Sequence, residues 1–348
     1  MIELAKFSIH ERRDSRMQDK ASINDPIHVA LAVYDPSGTY SQHAGVTITS
    51  IFGNTKSKVI IHILHDDTLT KDNRKKFIRT AEKYNQTIEL HDVTEYAYMI
   101  NDELVKVSEN WTVGTLYRLF IPDVLPSVEK IIYVDCDIVF DLDIKELWDI
   151  NTEDYCMAGV HDYCTAVGSD RSVRDFLIGC NSHTYVNAGV LVMNLNLIRL
   201  RGNLFLNAMK WLKRHIHLVM FSDQDIINAL FYKSIKLIDK RFNNIHSVTE
   251  QETKNTIIHT AGWDRAWEIT GMPYQILYWK LYLRSEWGKN KSPDELIETI
   301  SSFAPKRTPG VYLPLYKRIA LKFYNRKPFR IIVYIIQDVL HRLGCVFQ

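Results

Sequence analysis

Short, unbroken apolar runs alternate with helix-like stretches from His28 to Phe140, and this alternation restricts the chain to few architectures. HVALAVY (His28–Tyr34), KVIIHILHDD (Lys58–Asp67), QTIELHDV (Gln86–Val93) and EKIIYVDCDIVF (Glu129–Phe140) read as strands. Between them lie HAGVTITSIFGNT, closed by Gly53 and Asn54, the amphipathic LTKDNRKKFIRTAEKYN, and GTLYRLFIPDVL, helical up to Pro126. Strands apolar on both faces and separated by helices belong to a mostly parallel, Rossmann-like α/β sheet covered on both sides. Ligands of such sheets gather at the carboxyl ends of the strands. Asp35, the Asp66–Asp67 pair and the Asp135/Asp137 pair are therefore expected along one rim.

After about residue 150 the pattern loosens. YVNAGVLVMNL is a strand candidate interrupted by Asn187-Ala188-Gly189, and a long helix is expected over Leu197–His215. SDQDIINALFYK opens as a helix capped by Ser222 or Asp223. IKLID and TIIHTAG are two further short strands. With 348 residues and 46% hydrophobic content, the chain can bury a sizeable core. The expected organisation is a polar lead-in over 1–25, one α/β domain over 26–285, and a small helical C-terminal appendage over 286–348.

Net charge is only +2, but its distribution is uneven. From Tyr316 onward there are seven Lys/Arg against the single acid Asp338, interleaved with Phe323, Tyr324, Phe329 and Tyr334. A basic amphipathic segment of this kind suits an anionic membrane surface, or packing on the domain. No recognition motif accompanies it, so nucleic-acid binding is not expected. The five cysteines are odd in number and form no CxxC pair, which points to a reducing compartment. There is no signal-peptide pattern and no apolar run of about 18 residues. A cytoplasmic protein, peripheral on the inner membrane face at most, is the expectation.

The chemistry concentrates in a few places. Residues two apart in an extended segment face one side, so Asp135 and Asp137 can converge on a hard cation such as Mg²⁺ or Mn²⁺. His259, at the end of TIIH, would complete an O,O,N set better matched to Mn²⁺. Its other ring nitrogen then needs an acceptor that the sequence does not identify. Asn187 either sits in a bulge or hydrogen-bonds a closely approaching ligand, and Asp223 and Gln224 either open a helix or reach into a pocket to hold hydroxyl groups. Arg118, among apolar neighbours on a helix, needs an anionic partner. A D-x-D after four apolar residues also fits the nucleophile loop of haloacid-dehalogenase-type phosphatases. That motif usually opens its domain, whereas here more than a hundred residues of α/β pattern precede it.

Taken in order, these motifs resemble family 8 of the glycosyltransferases, retaining enzymes of the GT-A fold, and within it bacterial lipopolysaccharide and lipooligosaccharide galactosyl- and glucosyltransferases. The resemblance covers about residues 27–285. HVALAVYD is similar to the family's first strand, implying that Asp35 contacts uracil. TLYRLFIPDVLP resembles the helix bearing the donor-binding arginine, implying Arg118. VDCD resembles the family DxD, implying Asp135 and Asp137 on Mn²⁺, with Asp135 also near the ribose and sugar. VHDYC implies a further acid near the donor sugar, Asp162. The NAG strand implies Asn187 and Ala188 at the sugar. SDQDIIN implies Asp223 on sugar hydroxyls and Gln224 beside the reacting carbon. IIHTAGWDRAW resembles an HxxGxxKPW-type motif, implying His259 on the metal, Gly262 on phosphate and Arg265 in place of the usual Lys. The implied donor is UDP-glucose or UDP-galactose and the acceptor a saccharide or glycolipid. A catalytically inactive nucleotide-sugar-binding protein is the remaining alternative.

Overall fold

The computed structural model describes residues 25–100, 112–162, 169–245, 249–261, 265–268 and 272–303. Strands β1 (Ile27–Val33), β2 (Val59–His65), β3 (Thr87–Asp92) and β4 (Lys130–Val134) coincide with the apolar runs. Helices α1 (Ser41–Asn54) and α2 (Lys71–Tyr84) connect the first three. The Thr70 side chain caps α2 by accepting from Asn73 N, and Asn85 ends it in the left-handed conformation. These four strands lie side by side as β3-β2-β1-β4, all parallel.

Beyond β4 the sheet changes direction once. β7 (Val186–Asn194) runs antiparallel between β4 and β6 (Met157–His161), and β8 (Ile235–Ile238) closes the edge parallel to β6. Asn187-Ala188-Gly189 does not interrupt this strand but opens it. Because β7 is reversed, its amino end lies beside the carboxyl end of β4, with Val190 opposite Val134.

The single strand expected over Glu129–Phe140 is two. β4 stops at Val134, and β5 (Ile138–Phe140) pairs antiparallel with β9 (Ile257–His259) in a separate two-stranded sheet. Two carboxylates inside a covered sheet would be costly, so the chain leaves it at Asp135-Cys136-Asp137. Thr47 of α1 pins this turn, its hydroxyl lying 2.9 Å from Cys136 O and 2.7 Å from Ile138 O.

Two helix expectations also need correction. The helix over 197–215 is broken into Leu195–Arg199 and Leu204–His215. Gly202 turns the chain at φ 91°, and the Asn203 side chain caps the second piece by accepting from Leu206 N. Helix Ser222–Phe231 is not capped by Ser222 or Asp223. Ser222 itself sits at φ 42°, a conformation costly for a residue with a Cβ. Asp225 holds the turn by accepting from Met220 N (2.8 Å) and Phe221 N (2.9 Å), and it pairs with buried Arg174.

Packing continues past residue 285. The Trp287 ring lies so close to Gly45 that a Cβ there would come within 2.2 Å of it, and its indole N–H donates to Asn73 Oδ1 at 2.9 Å. Helix Pro293–Ser302 follows, opened by a Ser292/Glu295 capping box. No helix among the described residues is long and apolar enough to cross a membrane. The lead-in up to residue 24, the basic segment from 304 onward, Cys164 and Cys345 lie outside the described residues. Cys136, Cys156 and Cys180 are buried and not in disulfides.

His43 of α1 is buried between Trp267, stacked at 3.7 Å, and the Tyr278 hydroxyl, 2.6 Å from its Nδ1. Burial, with Asp137 opposing and Arg265 assisting, lowers its pKa to about 3. The folded value lies below the unfolded one, so the unfolded chain takes up the proton first as pH falls. This contribution is complete above about pH 6.5 and is lost on the way down to about 3. We expect unfolding free energy to drop by about 2 kcal/mol between pH 7 and 5 on this account. Urea midpoints across that range should fall more steeply for the wild type than for His43→Phe.

Candidate functional site

At the rim where β1 and β4 end and β7 begins lies a cavity of about 430 Å³. Its lining includes Tyr34, Arg118, Asp135, Asp137, Asn187, Ala188, Asp223, Gln224, His259 and Arg265. The β5–β9 register puts His259 opposite Ile138 and thus beside Asp137, although 122 positions separate the two in sequence. Thr260 N and Oγ1 both donate to Asp137 O, at 3.1 and 3.0 Å, and lock that placement.

Each carboxylate of the D-C-D turn divides its oxygens. Asp135 Oδ1 accepts from Arg118 (2.8 Å) and the Tyr133 hydroxyl (3.0 Å), while Oδ2 faces His259 Nε2 at 3.9 Å. Asp137 Oδ2 is held by Arg265, and Oδ1 lies 3.3 Å from His259 Nε2. Burial alone would raise the Asp137 pKa, but His259 and Arg265 hold it well below the usual carboxylate range. Burial would lower His259, and Asp137 and Asp135 raise it instead. Two carboxylate oxygens and one imidazole nitrogen therefore converge, a donor set that suits Mn²⁺ better than Mg²⁺. Cys136, between the acids, turns away and donates its thiol to Ala32 O at 3.2 Å.

The acceptor missing from the sequence is Asn243. His259 Nδ1 lies 2.9 Å from Asn243 Oδ1, and Asn243 Nδ2 donates to Asn187 Oδ1, also at 2.9 Å. In the neutral ring this puts the proton on Nδ1 and leaves Nε2 facing the acids. Gly189 N donates to the same Asn187 oxygen at 2.9 Å, so Asn187 offers the cavity its amide NH₂. We expect Asn243→Ala to weaken Mn²⁺ binding roughly ten- to a hundredfold, measured by Mn²⁺ titration, and to cost about 1–3 kcal/mol of stability by leaving buried His259 Nδ1 without its acceptor. Nothing in RFNN distinguishes Asn243 from a solvated loop residue, so it was not legible from sequence.

Gln224 is held at both ends of its amide. Its Oε1 accepts from Ala188 N at 3.0 Å, and its Nε2 donates to Asp162 Oδ2 at 2.7 Å. Asp162 is buried and meets the cavity through Gln224 rather than lining it. Ala188 has its N–H on Gln224 and its carbonyl on Arg118, so its backbone groups are also engaged. Arg118 lines the cavity, yet its guanidinium reaches Ala188 O (2.6 Å), Asp135, Thr115 O (3.1 Å) and Asp223 Oδ2 (3.0 Å). Its anionic partners are thus internal. Burial raises the Asp223 pKa to about 7, with Arg118 opposing and Asp135 adding.

Asp35 is engaged by groups of the protein itself. Its carboxylate accepts from Tyr40 N (2.7 Å), Ser41 N (3.0 Å), Ser41 Oγ (2.5 Å) and Asn73 Nδ2 (3.1 Å). An acid at this position satisfies the orphan amides that open α1. It does not line the cavity; its neighbours Tyr34 and Pro36, together with Tyr40, do. Asp66 is likewise engaged, by Thr68 and by the Tyr117 hydroxyl at 3.0 Å. Gly262 lies outside the described residues.

A mostly parallel sheet with one reversed strand, carrying an aspartate pair and a histidine at the β4 rim, is the GT-A architecture. The chain superposes on a crystal structure of the galactosyltransferase LgtC in complex with donor and acceptor sugar analogues, with a TM-score of 0.64 and 19% identity. The match covers 78% of this chain and all of that one. The family model described as glycosyl transferase family 8 matches residues 32–266, and the chain belongs to that family. Among curated relatives, a Haemophilus influenzae protein described as a putative glycosyltransferase is 27% identical over 61% of this chain and 62% of its own length. A lipopolysaccharide 1,3-galactosyltransferase of Salmonella typhimurium is 27% identical over 62% and 63% respectively. These matches thus span less than two thirds of the relatives' own lengths. Family membership removes the phosphatase alternative.

Proposed function

We propose that this protein is a retaining hexosyltransferase that moves glucose or galactose from a UDP-sugar to a saccharide or glycolipid acceptor. The observation that carries this is the convergence of one Asp135 oxygen, one Asp137 oxygen and His259 Nε2 at the wall of a cavity that also contains Gln224 and Asp223. The relatives named for lipopolysaccharide galactosyl and glucosyl transfer support the sugar class.

Asp135, Asp137 and His259 would hold Mn²⁺, which supplies Lewis-acid neutralisation of a leaving diphosphate. Arg265, on the same wall, adds positive potential where that charge develops. Gln224, its amide fixed by Ala188 N and Asp162, presents its carbonyl dipole to a developing oxocarbenium ion. It is a poor nucleophile, which favours same-face attack over a covalent intermediate. Asp223 and the Asn187 NH₂ are placed to hold sugar hydroxyls. Asp162 acts through Gln224 as a positioning residue.

The test is UDP release from the full-length chain incubated with Mn²⁺ and a panel of nucleotide sugars. Slow hydrolysis of a UDP-hexose is expected. Tight donor binding with no UDP released would overturn the enzymatic reading in favour of an inactive binding protein.

The basic, aromatic-rich composition beyond Tyr316 supports attachment to an anionic membrane surface. Removing residues after about 315 is expected to shift the protein from the membrane to the soluble fraction while leaving donor hydrolysis intact; unchanged fractionation would overturn this part.

A further inference from the structure

A second group of metal-ligating side chains lies on β1, β2 and β3 and shares no residue with the cavity. His62 Nδ1 is 3.0 Å from His91 Nε2 and 3.2 Å from Glu89 Oε2, and the last two atoms are 3.6 Å apart. Strand register produces this triangle: Glu89 pairs with His62 across the β2–β3 ladder, and His91 lies two residues further along the same face. Nitrogen and oxygen ligands about 2.0–2.1 Å from a tetrahedral ion stand about 3.4 Å from one another. The three measured edges scatter around that value.

One tautomer of this arrangement leaves a ring nitrogen free to take a cation. His62 Nε2 lies 2.9 Å from His28 Nδ1. A proton on Nε2 donated to His28 leaves His62 Nδ1 as a bare lone pair facing a carboxylate. The Glu89 carboxylate faces both of these rings. The His28 contact is also the kind of outer hydrogen bond that fixes the tautomer of a ligating imidazole.

We propose that His62, His91 and Glu89 bind one divalent transition cation of the zinc class, clamping edge strand β3 to β2. Two imidazoles and one carboxylate select Zn²⁺ over Mg²⁺ or Ca²⁺. The Glu89 side chain is 48% exposed, which leaves the fourth coordination position to water. This inference does not depend on the transferase reading.

Equilibrium dialysis of the full-length, chelator-stripped chain against Zn²⁺ tests it. The Asp137→Asn background removes a ligand of the cavity site and keeps the two sites separable. That variant is expected to retain one zinc equivalent and to gain thermal stability on adding Zn²⁺. Adding His91→Gln, on an edge strand where the fold tolerates it, should abolish both effects. His28→Phe keeps all three ligands and should weaken zinc binding roughly ten- to a hundredfold. Asp137→Asn protein that binds no zinc, or zinc uptake that survives His91→Gln, overturns the proposal.

Discussion

Gly189→Ala should lower Mn²⁺-supported turnover at least a hundredfold while leaving a folded protein. A Cβ at Gly189 would lie 2.2 Å from His259 Cε1, 2.7 Å from Nδ1 and 2.9 Å from Nε2. Something must move, and the choices are poor. The β7 backbone is tied to the D-C-D turn through Asp135 N donating to Gly189 O at 2.9 Å, and the imidazole is tied to Asn243. Overpacking of this kind costs about 1–3 kcal/mol in stability. Displacing a ligand by about 1 Å is worth on the order of a hundredfold in rate. Steady-state kinetics with Mn²⁺ titration reads both effects. Turnover and Mn²⁺ affinity close to wild type would remove His259 from the proposed ligand set.

The second large effect is expected at Arg118, for an opposite reason. Arg118 is buried together with Asp223, and it also holds Asp135. Burial favours its neutral form, but the two carboxylates hold its pKa above the ordinary value. Replacing it with Leu leaves buried Asp223 without its counter-charge and takes one of two from Asp135, and breaking a buried pair from one side costs about 3–5 kcal/mol. For a domain of this size that is roughly a 10 °C loss in Tm, read by thermal unfolding. The Asp223 pKa should rise further, since Arg118 is what opposes its burial. Arg118→Lys keeps the charge but not the fork that spans Ala188 O, Thr115 O and both acids, so it should recover only part of the stability.

Much of this architecture is visible in the sequence because hydrophobic period and turn chemistry are local. HVALAVY and KVIIHILH become β1 and β2, and TIIH becomes β9 with His259 at its end. Direction is not local: periodicity carries no sign, so YVNAGVLVMNL gave no warning that β7 runs backwards. Nor does an acid at a strand end declare its partner. Asp35 and Asp135 look alike in sequence, yet one satisfies the amides opening α1 and the other faces the cavity. EKIIYVDCDIVF is continuous by composition, and it divides only because β5 finds a partner in a distant strand. Gly202-Asn203 was a legible signal, a left-handed glycine followed by a capping asparagine, and it marks where the long helix breaks.

The small β5–β9 sheet has a bearing on how the molecule fails. Its strands have three residues each, and the contacts that seal it join positions 123 apart in sequence, from Asp137 to Thr260. The β2–β3 edge, by contrast, is closed by side chains such as Gln86 on Val59, 27 apart. Loop-closure entropy rises with separation, so this short pairing, although its residues are buried in the core, has less margin than the longer strands of the main sheet. On heating, the histidine should part from the aspartates while the seven-stranded sheet is still intact. Inactivation and unfolding would then be two events with two midpoints, and a brief excursion past the first would be reversible on cooling.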